Sequence, residues 1–396
     1  MRPVLVFLFL LRPALAQTPR AVSRADAVAL AVAHGPRAAT ARADSAATYG
    51  DLAAARAFPN PSFSATYSKD VPQYHYIFDI PIDWPWLRAP RVGAASAGAE
   101  AGLARFAFEV AAVRFDADTS YTVALAAEAH ARLSRRTAID ADSLLRVARL
   151  RRDAGDASEM DTRLAEINAG ELANTAAEDS LAAVAALVNL QLVMGLPGDA
   201  AVVLTDSLQF PDTAGDQMPA ASLSVLEAQA ELTAAERSLT LAKSGNLLSP
   251  SFTVGVERGD PTGQEPGGLP TFGLSLPLPL FNWNGGAITR AHAERDAAQV
   301  RLDATRRAAT AERTRAVGER SVALARARRD AGLVASADSV AAMFLQAYGE
   351  GAVSLPEVLE AQRNAREALG RYVDDLALAN TAVGLVKLLD ATREHQ

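Results

Sequence analysis

Two stretches of this chain carry nearly the same pattern of residues, and this duplication constrains the fold more than any other feature. A strand-like segment opens with Ser62-Phe63 in the first copy and with Ser251-Phe252 in the second. An offset of 196 residues then relates the copies: Pro81 with Pro277, Gly155 with Gly351, Ser158 with Ser354, Asp161 with Glu357, Leu187 with Val383, and Leu190 with Val386. Each copy is predicted to form a β-hairpin, a long helix, a glycine break and a second long helix. Two such repeats predict a tubular architecture.

The pattern divides the chain into six predicted segments. They are a signal peptide at 1–16, an N-terminal helical segment at 17–58, a first repeat at 59–196 with its hairpin at 62–82, an irregular segment at 197–222, a second repeat at 223–390 with a lead helix and a hairpin at 251–280, and a tail at 391–396. Within the N-terminal segment, Ser23 to Phe58 is predicted to be helical, with Ser23 as N-cap and Asp26 in the first turn.

The first sixteen residues have the composition of an export signal. Arg2 gives the positive start, residues 4–11 are apolar, and Ala14-Leu15-Ala16 is a small-residue cleavage site. A membrane anchor is the weaker interpretation, because the apolar run is far shorter than the ~20 residues that span a bilayer. Cleavage removes Arg2 and Arg12 and no acidic residue, so it lowers the formal charge by two, from -7 to -9. No other stretch is expected to be a transmembrane helix.

Composition excludes several classes of function. The chain has no cysteine, which rules out disulfides and thiolate metal sites. An acidic chain with 6% aromatic residues is a poor binder of nucleic acid. These features predict an exported protein without helical membrane anchorage.

The strand-like segments alternate apolar and polar residues, which fits either a half-buried sheet or a membrane β-barrel. Four strands cannot close a barrel or satisfy two free edges in lipid. If the strands enter a membrane, several chains therefore share one barrel. The apolar positions are Phe63, Ala65, Tyr67, Tyr74, Tyr76, Phe78, Ile80, Phe252, Val254, Val256, Phe272, Leu274 and Leu276.

Long proline-free stretches predict long helices. No proline lies between Pro90 and Pro197 or between Pro279 and Pro356, and roughly 60 residues of helix would extend about 90 Å. Helices of that length pack laterally against others. A heptad pattern in the last limb fits a coiled-coil seam or an ordinary helix-bundle core: Val358, Ala365, Tyr372, Ala379 and Val386 at one position, and Leu369, Leu376 and Val383 at the other.

Two motifs then give a family resemblance. Residues 276–282 read Leu-Pro-Leu-Pro-Leu-Phe-Asn, followed by Gly285-Gly286, and residues 351–363 form the second helix turn and the helix after it. In a duplicated chain with an export signal, these motifs resemble the outer membrane efflux protein (TolC) family of Gram-negative bacteria. Within this family, the sequence most resembles the CzcC- and CusC-like heavy-metal branch.

The resemblance implies a mainly α fold with a small β part. Three chains would form a 12-stranded outer-membrane β-barrel continuous with a periplasmic α-helical barrel, with most of each chain in the periplasm. The implied partners are a periplasmic adaptor, an inner-membrane pump of the RND type and outer-membrane lipid, without nucleic acid. The implied function is a passive exit duct for metal cations or small toxic compounds. No cofactor is implied.

The resemblance also implies a gate where the helix pairs turn. Glu357 and Glu360 match the family's gate carboxylates, and their spacing of three puts both on one helix face. The alternative is a pair of exposed glutamates in a first helical turn, favoured by the helix dipole. Tyr348 matches a gate tyrosine that would bond Asp161 across neighbouring helix pairs, at about 1.5–3 kcal/mol. Val353 replaces a basic residue of the family pattern.

Further site residues follow from the same resemblance. The helix turns would dock the adaptor's hairpin tips, and the strand-to-helix corners would lie at the membrane interface, where tryptophan is favoured. Packing at a crowded corner would equally explain the tryptophans. The docking residues are Gly155, Ser158, Gly349, Gly351 and Ser354, and the corner residues are Pro81, Trp84, Trp86, Pro277, Pro279 and Trp283.

No catalytic constellation is predicted. The histidines have no metal-ligand spacing and the serines no nucleophile-elbow context, so the chain is not expected to be an enzyme. The histidines are His34, His75, His130, His292 and His395. Within the resemblance, multidrug export and type I protein secretion stay open as alternatives. From a different class, a non-conducting periplasmic coiled-coil protein also stays open.

Overall fold

A computed structural model describes residues 19–212, 222–247, 249–259 and 267–391 of the chain. The predicted signal peptide lies outside these ranges. So do most of the predicted tail, residues 213–221 of the predicted irregular segment, and residues 260–266 between the last two strands.

Long helices dominate the described residues, and short strands occur in two groups. In chain order the elements are β1 (Arg20–Val22), α1 (Arg24–His34), α2 (Pro36–Arg56), β2 (Ser62–Tyr67), β3 (Tyr74–Pro81), α3 (Pro85–Asp153), α4 (Glu159–Val193), β4 (Val202–Leu204), α5 (Leu223–Ser244), β5 (Ser251–Arg258), β6 (Leu269–Ser275), α6 (Gly285–Gly349) and α7 (Leu355–Leu389). The protein is therefore mainly α with a small β part, as predicted.

The N-terminal helical segment begins as predicted but is interrupted. Ser23 caps α1, and its side chain and the Asp26 carboxylate form a reciprocal capping box. The stretch predicted to be helical from Ser23 to Phe58 forms two helices rather than one, because the chain breaks at Gly35. Gly35 has an extended backbone, as favoured before a proline, and Pro36 then occupies the first position of α2.

Residues 19–23 and the predicted irregular segment contain short strands that the sequence did not indicate. β1 and β4 pair in parallel, with Ala21 opposite Val203. The buried Tyr121 hydroxyl donates to the carbonyl of Val22 at 3.0 Å. Strands of three residues are too short to show a periodicity, and their pairing is set by this packing against Tyr121.

The other four strands form one antiparallel sheet in the order β2-β3-β5-β6. Tyr76 lies opposite Ala65 on one side and Val256 on the other, so the two hairpins join through β3 and β5. The apolar side chains share one exposed face. The second hairpin was predicted to continue to residue 280, but β6 ends at Ser275 because Pro277 and Pro279 have no N–H for a sheet hydrogen bond.

The contacts divide the chain into two compact units. One contains the described residues of 1–36, 113–214 and 318–385, and the other those of 37–112, 215–317 and 386–396. The first unit has separate apolar clusters, centred on Tyr121, on Tyr348 and on Leu376. The second unit contains the four-stranded sheet and a small cluster around Leu223.

Most of the predicted heptad face of α7 is buried, with Leu369 and Tyr372 half-buried, so the observed burial follows the predicted period. Val358 and Ala379 are fully buried, and Leu376 and Val383 are at most 5% exposed. The neighbouring helix α4 behaves differently. By length and composition it could cross a membrane, contrary to the expectation that no further stretch would, and only 17% of its most apolar window is buried.

Candidate gate at the helix turns and the strand-helix corners

The two helix-to-helix turns have the same backbone geometry at equivalent positions. Gly155 and Gly351 adopt φ values of +87° and +74°, where glycine has no side-chain penalty. The following residue donates back to the carbonyl five residues earlier in both turns: Asp156 to Arg151 and Ala352 to Ala347, each at 2.8 Å. This is the Schellman arrangement that ends a helix.

Each turn is followed by a serine and an acidic residue three positions later. Ser158 caps α4, and Asp161 accepts from its N–H and its hydroxyl. In the second turn, Glu357 Oε2 accepts from the Ser354 N–H at 2.7 Å and from the Ser354 hydroxyl at 2.8 Å. These two bonds hold the pKa of the Glu357 carboxyl below its ordinary value. The Glu357 carboxylate is therefore favoured in its ionised form, and both acidic residues cap the start of a helix.

The two predicted gate glutamates lie on the exposed side of α7. Glu357 and Glu360 are both exposed, whereas Val358 between them is fully buried. Glu360 Oε1 accepts from Arg363 at 2.7 Å and from Asn364 at 3.4 Å. The described chain thus presents two carboxylates to solvent on one helix face, each with a local partner on one of its oxygens.

Tyr348 does not form the predicted bond to Asp161 within the described chain. Its side chain is 3% exposed, and its hydroxyl has no hydrogen-bond partner among the described residues. The Asp161 carboxylate is instead engaged with Ser158. Burial raises the pKa of the Tyr348 phenol, and the charge of Arg151 acts in the opposite direction. Val353 packs at the edge of the same apolar cluster.

A residue that the sequence did not single out contacts Tyr348. The Arg151 guanidinium lies 4.6 Å from the centre of the Tyr348 ring, and its Nη1 donates to the Tyr348 carbonyl at 2.7 Å. Its Nη2 donates to the Asp156 carbonyl at 3.3 Å. Positions 151 and 348 are distant in sequence, so only the fold brings them together.

The predicted docking residues lie on the surface of the two turns. All five are exposed: Gly155, Ser158, Gly349, Gly351 and Ser354. Large apolar side chains near the turns are also exposed, including Leu150 at 70% and Met160 at 72%. The turns therefore expose both backbone and apolar side chains.

The two strand-to-helix corners differ from each other. In the first, which follows Pro81, Trp84 donates from Nε1 to the Pro250 carbonyl at 3.2 Å and stacks on Trp86 at 4.7 Å. In the second, which contains Pro277 and Pro279, Phe281 is 97% exposed and Trp283 64% exposed. Trp84 therefore has packing partners within its corner, whereas Trp283 is exposed.

A buried carboxylate organises the first corner, and the sequence analysis missed it. The Asp83 side chain is 1% exposed and accepts from Arg88 at 2.9 Å and from Arg91 at 2.8 Å. Both arginines also donate to carbonyls at the end of α2, those of Arg56 and Ala55. The Asp-x4-Arg-x2-Arg spacing was the available signal, since i,i+3 neighbours share a helix face.

Comparisons with known proteins agree with this architecture. The sequence profile of the family described as "Outer membrane efflux protein" matches residues 215–390, which correspond to the second repeat. The predicted resemblance to this family is confirmed. No curated protein sequence matches the chain. In the described residues, no group of three histidine, cysteine, aspartate or glutamate side chains could hold a metal ion.

Solved structures of outer membrane channels share the fold. The chain superposes on the Campylobacter jejuni CmeC outer membrane channel with a TM-score of 0.80 at 17% identity, covering 93% of this chain and 85% of that one. For VceC of Vibrio cholerae the TM-score is 0.75 at 16% identity, covering 93% and 96%. For CusC it is 0.74 at 16% identity, covering 93% and 92%. The fold is that of the TolC-like channels.

Proposed function

We propose that this protein is the outer-membrane exit duct of a tripartite efflux system. The observation that carries the proposal is the four-stranded antiparallel sheet, whose apolar face is exposed and whose outer strands, β2 and β6, each have one neighbour in the described chain. Open sheet edges are not tolerated in lipid, so the sheet requires further strands to enter a membrane. Three copies would supply a closed barrel of twelve strands.

The helices support the same assembly. The exposed apolar surface of α4 has few partners within the chain and fits lateral packing against neighbouring helices. In the proposed trimer these helices line a periplasmic tunnel, and an adaptor and an inner-membrane pump dock below it at the two helix turns. The family resemblance and the exposed apolar face of the sheet support a location in the outer membrane.

We further propose that Glu357 and Glu360 form the gate of the duct. Both are exposed on one face of α7, and a trimer would bring six carboxylates together. Like charges at close range attract cations, so divalent ions would bridge the ring and block it. Metal cations or small toxic compounds are the proposed cargo, supported by the Leu-Pro-Leu-Phe corner at residues 278–281.

Single-channel conductance of the purified protein in planar bilayers tests the duct and the gate together. We expect small, cation-selective steps that millimolar divalent cations block, with the block lost in Glu357→Gln/Glu360→Gln. Glu367→Gln, two turns further along α7, is the matched control and keeps the block. Folded, trimeric protein that gives no conductance would contradict the proposal and favour a structural coiled-coil scaffold.

The cargo is tested in cells. Expression in a strain that lacks its own outer-membrane ducts, together with the native adaptor and pump, should raise tolerance to a panel of divalent metals more than to a panel of hydrophobic drugs. The reverse order would assign the protein to drug export.

A further inference from the structure

We propose that Arg151 is a positioning residue that ties the two helix turns together and so holds the gate shut. The inference rests on the duct and gate proposed above, and it assigns the restraint to a residue that the sequence analysis did not name as part of the gate. The Arg151 guanidinium donates hydrogen bonds to carbonyls at both helix turns.

The first contact is with the end of α6. The Tyr348 carbonyl already accepts from the Gly351 N–H at 3.0 Å within the Schellman turn, and Arg151 Nη1 donates to the same oxygen at 2.7 Å. Both acceptor positions of that carbonyl are therefore used. A cation next to the last carbonyls of a helix also interacts favourably with the negative end of its dipole.

The second contact is with the turn of the first repeat. Arg151 Nη2 donates to the Asp156 carbonyl at 3.3 Å, in the segment between α3 and α4. The planar guanidinium presents several donors at fixed angles, so a single arginine can hold two carbonyls that a lysine could not hold together. A Cβ atom on Gly351 would lie 3.4 Å from this nitrogen, which shows how closely the second turn approaches it.

The third contact is with the Tyr348 ring. The guanidinium carbon lies 4.6 Å from the ring centre, within the range of a cation-π interaction. The ring itself is buried in a cluster with Leu144, Ala165 and Val358, which come from the other three helices of the two turns. The Tyr348 hydroxyl adds no hydrogen bond among the described residues, so the ring and the carbonyl make the connection.

The equivalent positions of the two repeats do not reproduce the Arg151–Tyr348 contact. The residue equivalent to Arg151 in the second repeat is Ala347, and the residue equivalent to Tyr348 in the first repeat is Arg152. Arg152 pairs with Asp153 at 2.7 Å and Glu159 at 3.5 Å, both in its own repeat. A gate that opens by moving one helix pair away from the other must therefore break the contacts of Arg151 with Tyr348. Val353 has no charge with which to form a salt bridge, so we assign this restraint to Arg151.

Two measurements test the proposal on the full-length purified protein. The first is the open probability in planar bilayers without divalent cations, where we expect Arg151→Ala to raise it roughly tenfold or more, the scale of a lost charge-assisted hydrogen bond. The second is amide hydrogen exchange over residues 349–356, which should become faster by a similar factor.

Three further variants make the result specific. Arg152→Ala is the matched control and should behave as wild type in both measurements. Arg151→Lys should lie between wild type and Arg151→Ala, because it keeps the charge but not the two-carbonyl geometry. Tyr348→Phe should open the channel less than Arg151→Ala does.

Several outcomes would overturn the tie. The first is an Arg151→Ala protein whose open probability and amide hydrogen exchange match those of the wild type. The second is an Arg151→Lys protein that matches the wild type in both measurements. The third is a Tyr348→Phe protein with a higher open probability than Arg151→Ala. Faster exchange in Arg151→Ala without a change in open probability would overturn its role at the gate. If the wild-type protein does not conduct at all, the proposed duct fails, and the exchange measurement still decides whether Arg151 connects the turns.

Discussion

The two helix turns of this protein share a backbone and differ in their side chains. Gly155 and Gly351 have the same left-handed conformation, and a serine and an acidic residue follow each of them at the same spacing. At one equivalent position, however, the first turn has the exposed ion pairs of Arg152, and the second has the buried ring of Tyr348. The two repeats therefore share the glycine that ends one helix and the cap that starts the next. They differ in the side chains that pack between the helices.

Because of this difference, the two repeats contribute different groups to the contact between them. The first repeat contributes the charged donor, Arg151, and the second contributes the acceptor carbonyl and ring of Tyr348. Neither repeat alone contains both halves of the contact. Divergence of a duplicated chain therefore created a contact between its copies that a symmetric pair of repeats would lack.

Truncation of Tyr348 to alanine should lower the free energy of unfolding more than any other variant considered, and far more than truncation of its equivalent, Arg152. Tyr348→Ala removes a ring that is 3% exposed from the cluster between the helices, so we expect a loss of about 3 kcal/mol or more in the free energy of unfolding. Arg152→Ala, at the equivalent position, should change it far less because its ion pairs are at the surface. Denaturant titration of the detergent-solubilised protein measures both. Equal losses would mean that the repeats have not diverged in packing.

The shared caps should give smaller and similar effects in the two repeats. Ser158→Ala and Ser354→Ala each remove a hydroxyl that bonds the acidic residue three positions later. We expect each to lower the free energy of unfolding by about 1 kcal/mol. The same denaturant titration applies, with Ser339→Ala, an exposed serine within α6, as control. A loss in only one of the two cap variants would break the equivalence of the turns.

A buried carboxyl distinguishes the repeats in their response to pH. Asp375 pairs with Arg326 at 2.7 Å and has a side chain only 3% exposed, whereas its equivalent, Asp179, is half-buried. Burial raises the pKa of Asp375, Arg326 opposes this, and nearby Asp330 adds to it. A raised pKa in the folded state contributes stability that is present below the unfolded pKa and lost as pH rises through the folded one.

We therefore expect Asp375→Asn to reduce the fall in stability as pH rises above the ordinary aspartate pKa of 3.8. Asp179→Asn is the matched control in the first repeat and should leave the pH profile closer to wild type. Thermal unfolding midpoints across the acidic to neutral range provide the measurement. A profile for Asp375→Asn with the wild-type slope would remove this contrast.

The smallest expected effect concerns Glu357. Its pKa is lowered by the Ser354 N–H and hydroxyl, so its contribution to the cap is present above the unfolded pKa and lost as pH falls through the lowered one. Carbon NMR of the labelled carboxyl should show a titration below the ordinary glutamate range, and Ser354→Ala should move it back toward that range. An unchanged titration in Ser354→Ala would show that the cap does not perturb the carboxyl.

Much of the fold could be predicted from the sequence because it depends on local patterns. The alternation in residues 62–80 specified strands, the heptads of residues 358–386 specified the buried face of α7, and Ser23 specified the start of α1. The break at Gly35 also has a local signal, because Pro36 disfavours a helical conformation at the residue before it. The end of β6 was likewise readable from Pro277.

The candidate site was less accessible from sequence because its contacts are not local. Gly155, Ser158, Gly351 and Ser354 were found through the repeat, and the structure places all four in the turns. The contact of Arg151 with Tyr348 joins residues from different repeats and has no sequence spacing to reveal it. For the same reason the sequence predicted a bond through the Tyr348 hydroxyl, whereas the Tyr348 ring and carbonyl make the contacts in the structure.

The parallel pairing of β1 with β4 has a consequence for the timing of biogenesis. Val22 is fully buried, yet the strand it belongs to pairs with residues 202–204, about half a chain later. On the predicted export route, the N-terminal strand would leave the export machinery first and would stay unpaired until residues 202–204 had crossed. Contacts of such long separation form slowly. On that route, the chain would complete this pairing only late in export, and resistance to proteolysis before then would become a requirement on the sequence between the two strands.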